Sequence, residues 1–165
     1  MICLLRLLGM LLLVLTGAFA GFQASLSLAK RERELELFFR FVQSAETEIL
    51  FSALPVAEVV GRHGGELPFL RRCARLCQEG EDFFLAWERA VRETQPVDRG
   101  DAELYLRFGE GFGTTDAPGQ AAHCRLTLGL TEQRLRDARE ERRQKGRLYR
   151  MVGVLGGLAA ALLFC

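Results

Sequence analysis

The feature that most constrains this chain is a pair of uncharged apolar runs, one near each end, each bounded on its inner side by basic residues. Leu7 to Ala29 carries no charge and is followed by Lys30, Arg31 and Arg33. Met151 to Cys165 carries none either and is preceded by Arg142, Arg143, Lys145, Arg147 and Arg150. As helix the first run reaches about 34 Å, enough to cross a hydrocarbon core of roughly 30 Å. The second reaches only about 22 Å. Arg150 can snorkel and the terminal carboxylate can sit among the far headgroups, so local thinning would let the short run cross. A re-entrant or interfacial end is the competing reading. The basic clusters both lie toward the middle of the chain, and the positive-inside bias then puts the middle in the cytoplasm and both termini outside. The expected organisation is an N-terminal transmembrane segment over 1–29, a cytoplasmic helical bundle over 30–150 and a C-terminal transmembrane segment over 151–165.

A secretory signal is the rival for the first run, because Arg6, the apolar Leu7–Leu15 and the small-x-small Ala18-Phe19-Ala20 are all present. The run continues well past that site, and its heavier positive cluster follows it. A cleavable signal requires the reverse orientation, so a retained anchor is expected. Each run also holds a pair of glycines four apart, Gly17 with Gly21 and Gly153 with Gly157. Such pairs permit close helix approach in lipid. They are common by chance in glycine-rich spans and decide nothing here.

Between the runs the apolar residues follow a helical period. Leu35, Phe38, Val42, Ala45 and Ile49 alternate by three and four, the seam of a packed helix. No Pro or Gly separates them from the first run, so the anchor is expected to continue into this helix, with Glu36 and Arg40 paired on its outer face. Pro55 ends it and opens a short helix from Val56 to Arg62, closed by Gly64-Gly65. Pro68 starts another with Leu70, Cys73, Leu76 and Cys77 on one face, and Gly80 stops it. Phe83, Phe84, Trp87, Ala90 and Val91 make the next apolar face, broken by Gln95-Pro96. Leu104, Tyr105, Phe108 and Phe112 make the one after. Asp116 is a candidate N-cap with Pro118 in the following turn, opening a long last helix that runs into the final apolar stretch. The fold class expected is all-α.

No motif with catalytic chemistry emerges. Lys30 and Lys145, the only lysines, precede Arg31 and Gly146, so the G-x-x-x-x-G-K-[ST] phosphate loop is excluded. Cys73 and Cys77 with His63 and His123 could suggest zinc, but C-x-x-x-C within one helix is not a structural-zinc spacing. His63 reads as a surface turn residue and His123 as a helix-face residue. The glycines of Gly109-Glu110-Gly111-Phe112-Gly113 lack a preceding strand and read as a helix stop and tight turn. Glu46 with Glu48, Glu79 with Glu81-Asp82, and Glu140 with Glu141 read as solvated faces, because nothing draws two of them into a pocket. The five cysteines show no disulfide framework and read as small hydrophobes in a reducing compartment. In the basic stretch Arg134 to Arg150, interleaved Glu132, Asp137, Glu140 and Glu141 favour internal ion pairs over nucleic acid. Anionic lipid is the nearer partner for its acid-free end. No catalytic, cofactor-binding or metal-ligating residue is assigned, and neither nucleic acid nor a small-molecule substrate is expected.

The order of features does match a family. Gly17 to Phe22, Glu46-Thr47-Glu48-Ile49-Leu50-Phe51 with Leu54-Pro55, and Ala86-Trp87-Glu88 are three of the segments. Phe108-Gly109-Glu110-Gly111-Phe112-Gly113, followed by Asp116, Gln120 and His123, is the most specific. Tyr149 and Gly153-Val154-Leu155-Gly156-Gly157-Leu158 complete the series. Together they resemble the stage III sporulation protein AB family, membrane proteins of endospore-forming bacteria, nearly end to end. Phe112, where that family usually has a smaller aliphatic residue, and the glycine-rich final run are departures. The resemblance implies a cytoplasmic domain similar to that of platform protein F of type II secretion. It also implies a place in the channel complex between mother cell and forespore. Its implied partners are a cognate cytoplasmic ATPase, stage III sporulation protein AA, and other membrane subunits. It offers no catalytic residues to carry over.

Overall fold

A computed structural model describes the backbone of residues 2–52 and 54–163 as six α-helices, with no strand among the described residues. Side chains are described for most of residues 22–145, and for few outside that range. The helices are α1 (Ile2–Phe51), α2 (Val56–His63), α3 (Pro68–Gln78), α4 (Phe83–Thr94), α5 (Arg99–Gly111) and α6 (Ala117–Leu163). The all-α expectation and the helix order from the sequence hold. The apolar face expected at Leu104, Tyr105 and Phe108 lies within α5, and all three are buried.

Two compact units divide the chain: Arg31–Arg136, and the stretches that end at Lys30 and begin at Asp137. In the second unit α6 carries ion pairs along its own surface. Lys145 meets Glu141 at 2.7 Å and Arg143 meets Glu140 at 2.8 Å, the internal pairing expected for interleaved charge. Most side chains of Leu7–Ala29 and Met151–Cys165 lie outside the described residues, so the two expected spans fall there as well. Among the described residues no helix is long and apolar enough to cross a membrane.

The Arg31–Arg136 unit holds the core. Its local stops follow simple rules. Asp82 caps α4 by accepting from the amides of Phe84 (3.0 Å) and Leu85 (3.3 Å), and Asp98 caps α5 by accepting from Asp101 N at 3.1 Å. Asp116 accepts from Gly119 N at 3.1 Å, as its position before Pro118 anticipates. Gly80 closes α3 and Gly113 turns the chain toward α6, both at φ +93°, where a side chain would be strained. Gln95 ends α4 in the left-handed region at φ 46°, a common way for a helix to stop, and Pro96 follows it.

Burial joins all of these helices into one cluster. Phe38, Val42 and Ala45 of α1, Leu70 and Cys73 of α3, and Ala86 and Ala90 of α4 are fully buried. Aromatic rings fill the centre: Phe69 stacks on Tyr105 at 5.0 Å, Phe38 lies 4.4 Å from Tyr105, and Phe108 stacks on Phe112 at 4.7 Å. Such pairs each contribute about 0.5–1.5 kcal/mol beyond burial of area. Phe84 departs from the sequence reading. It is 42% exposed, because the inward face of α4 runs through Phe83, Ala86, Trp87 and Ala90 and Phe84 lies at the margin of that face.

A buried charge clamp and the candidate functional site

Asp101 is the buried charge of this unit, at 1% exposure in the first turn of α5. Arg31 of α1 donates from Nε to Asp101 Oδ2 at 2.8 Å, and Arg134 of α6 donates from Nη1 to Oδ1 at 2.9 Å. Asp98 adds a looser contact to Arg31 at 3.8 Å. One carboxylate therefore ties the point where α1 enters the unit to the point where α6 leaves it. Buried charge is tolerable only when paired and hydrogen-bonded, and here both oxygens are used. Nearby, Glu34 accepts from the amide of Val97 at 3.2 Å and fixes the loop after α4 to the same part of α1. Sequence reasoning passed over this clamp. Arg31 read as part of a membrane-flanking cluster, and Asp101 carried no motif.

A second constraint lies deeper. Trp87 donates its indole N–H to the carbonyl of Tyr105 at 2.8 Å, and Gly109 lies against the ring so closely that a Cβ there would sit 2.2 Å from Trp87 Cδ1. Gly109 and Gly111 are thus inside α5, and of the three glycines only Gly113 makes the turn. The helix-stop reading of Gly109 is corrected by this close approach. His123 is more than a helix-face residue. Its ring stacks on Phe108 at 5.3 Å, and its Nε2–H donates to the Phe108 carbonyl at 3.0 Å, satisfying one of the orphan acceptors at the end of α5.

The other residues weighed in the sequence fall apart from one another. His63, the last residue of α2, meets Glu48 of α1 at 2.9 Å, while Glu46 accepts from Arg125 of α6 at 2.7 Å. These two carboxylates are therefore not a solvated face. They pin α2 and α6 to α1, and the hydrogen bond from His63 holds the Glu48 carboxyl below the usual range. Glu81 meets Arg89 at 3.3 Å and Asp82 serves as the cap. Cys73 lies in the core, Cys77 is half-buried beside α2, and no three metal-binding side chains converge among the described residues.

Burial pushes the Cys124 thiol up to about 12 and raises Cys73 and Cys77 as well. The thiolate is the reactive form, so raised values mean little nucleophile at neutral pH. Alkylation of the native protein by iodoacetamide near pH 8 should therefore leave Cys73 and Cys124 unmodified for hours and touch Cys77 slowly. The guanidinium-unfolded chain should react at all three within minutes. Rapid native modification of Cys73, read by peptide mass spectrometry, would contradict the packing of α3.

Together the fold and the clamp define a class: a small helical domain on an aromatic core, its two connections to the rest of the chain held side by side by one carboxylate. The chain belongs to the stage III sporulation protein AB family, whose model matches residues 6–165. It is a sporulation protein in that sense. It is 24% identical to the stage III sporulation protein AB of Bacillus subtilis (strain 168), over 96% of this chain and 98% of that one. A solved structure of a stage III sporulation protein AB superposes with a TM-score of 0.60 at 21% identity, covering 68% of this chain and 96% of the other, and shares the fold.

Proposed function

We propose that the protein is a non-enzymatic membrane platform subunit of the channel complex between mother cell and forespore, docking a cytoplasmic ATPase through its helical domain. The observation that carries this reading is the Arg31–Asp101–Arg134 clamp. It joins Arg31, two residues past the first apolar run, to a residue on the path toward the second, an arrangement that suits a domain whose two connections lead into one bilayer. The continuous helix α1, Ile2–Phe51, supports a retained anchor, since helix runs unbroken through Ala18-Phe19-Ala20. The family supports the sporulation role. With the protein integral to the membrane, residues 30–150 lie on the mother-cell cytoplasmic side.

Two measurements on the full chain test it. Co-purification from detergent-solubilised membranes should retain the cognate ATPase in at least one nucleotide state. A domain that never does so removes the docking role. N-terminal sequencing of the mature protein should find Met1 or Ile2. A start just after Ala20 would instead favour an extracytoplasmic binding protein held by its C-terminal tail.

A further inference from the structure

The end of the Arg31–Arg136 unit farthest from the clamp has an unusual surface. Along α1, Phe51 lies 20 residues beyond Arg31, about 30 Å of helix. Here Phe51 is 84% exposed and Leu50 45% exposed, in the last turn before Pro55. Beside them in the chain, Ile49, Leu54, Pro55 and Val56 line a concavity of about 430 Å³ with Gly113 and Ala117. The start of α4 lies at the same end, since Phe83 sits 6.0 Å from Phe112. It contributes Leu85, 54% exposed, as well as Phe84. Four exposed apolar side chains gathered at one end, beside an open concavity, mark an interaction site rather than ordinary scatter.

Its charge narrows the occupant. The segments 46–62, 79–85 and 110–125 that build this end hold eight carboxylate residues and two arginines, and His63 and Arg89 beside them meet Glu48 and Glu81, which leaves the acids in excess. Both arginines are already engaged, Arg62 with Glu58 and Arg125 with Glu46, each at 2.7 Å. An anionic lipid surface would be repelled by such a face. So would a second copy presenting the same face, because an isologous contact sets like charge against like. A protein surface with an apolar side chain inside a ring of Lys or Arg is complementary to it.

We infer that this acidic, apolar end, centred on Phe51, Leu50 and Leu85, is the docking surface for a soluble protein whose contact patch is apolar with a basic rim. The inference deepens the platform reading above and rests on it, identifying where on the domain the ATPase binds. The groove between α5 and α6, with its exposed Leu126 and Leu130, is then not the primary contact.

The test uses the full-length protein in nanodiscs, titrated with the cognate ATPase. Phe51→Ser and Leu85→Ser should each raise the Kd at least about tenfold, as central apolar anchors do. Their melting temperatures should stay at the wild-type value, because both side chains are largely in solvent. Glu110→Lys should weaken binding severalfold, and higher ionic strength should weaken the wild-type complex. Leu126→Ser should leave the Kd unchanged. If wild type binds and both Phe51→Ser and Leu85→Ser bind as tightly, the surface assignment is wrong while the platform reading stands. If Leu126→Ser alone weakens binding, the contact is the α5–α6 groove and the assignment is again overturned. Conversion of wild-type dimers to monomers by Phe51→Ser would identify a second copy as the occupant and overturn it too. Failure of wild type to bind at all sinks the docking role itself.

Discussion

Replacing Asp101 by asparagine in the full-length chain should destabilise the Arg31–Arg136 unit by about 3 kcal/mol, near the lower end of what breaking a buried ion pair costs. The carboxylate is 2% exposed at its side chain and neutralises two guanidiniums, Arg31 at 17% and Arg134 at 35% exposure. Asparagine keeps the volume but leaves both cations facing a neutral amide. Partial access of Arg134 to water relieves some of the penalty, which is why the lower end applies. For a unit of this size the loss corresponds to a melting shift of roughly 10–20 °C. Trp87, the only tryptophan and fully inside the core, reports the transition by fluorescence. Replacing the cluster whole, with Arg31→Met, Asp101→Leu and Arg134→Met together, should recover much of the stability, because no orphan charge remains. A single Asp101→Asn variant that melts with wild type would show that the clamp contributes nothing.

Gly109→Ala should destabilise by about 2–4 kcal/mol, although alanine is the better helix former. The new methyl would fall on Trp87 Cδ1 at 2.2 Å and on Nε1 at 2.3 Å, too close for any real contact. The indole must shift, which costs about 1–3 kcal/mol of overpacking. If its N–H then leaves the Tyr105 carbonyl, an unpaired buried donor adds about 1–3 kcal/mol. Intrinsic propensity returns only about 1 kcal/mol. Gly129→Ala is the matched control. Gly129 is an exposed helical glycine in α6 with nothing within 4 Å of the built Cβ, so the same substitution there should stabilise by about 1 kcal/mol. Opposite signs for the two variants are expected in urea unfolding; the same sign would show that helix propensity, not the indole contact, governs Gly109.

How much of this was legible in the sequence depends on whether the cause is local. Pro55, Pro68 and Pro96, with the stops at Gly80 and Gly113 and the cap at Asp116, act within a few residues, and the helix limits they imply agree with the structure. The core stripe Leu35–Phe38–Val42–Ala45–Ile49 was readable for the same reason, since burial follows the helical period. Phe84 failed because an apolar residue at the margin of a helical stripe reads as part of it, and only the packing of Phe83 and Trp87 shows where the inward face lies. Glu46 and Glu48 failed because their partners, Arg125 and His63, are 79 and 15 residues away.

The sequence by itself determined the helices, their order, the apolar runs at both ends and the family, because these depend on spacing along one chain. Only the tertiary structure decided what Asp101 and Gly109 are for. Asp101 lies 70 residues from Arg31 and 33 from Arg134, and no local pattern marks a carboxylate that two distant cations will share. Gly109 looks like any helix-ending glycine until Trp87 is seen lying on it. A close approach or a shared charge is a property of two chain segments meeting, and it becomes readable only where they meet.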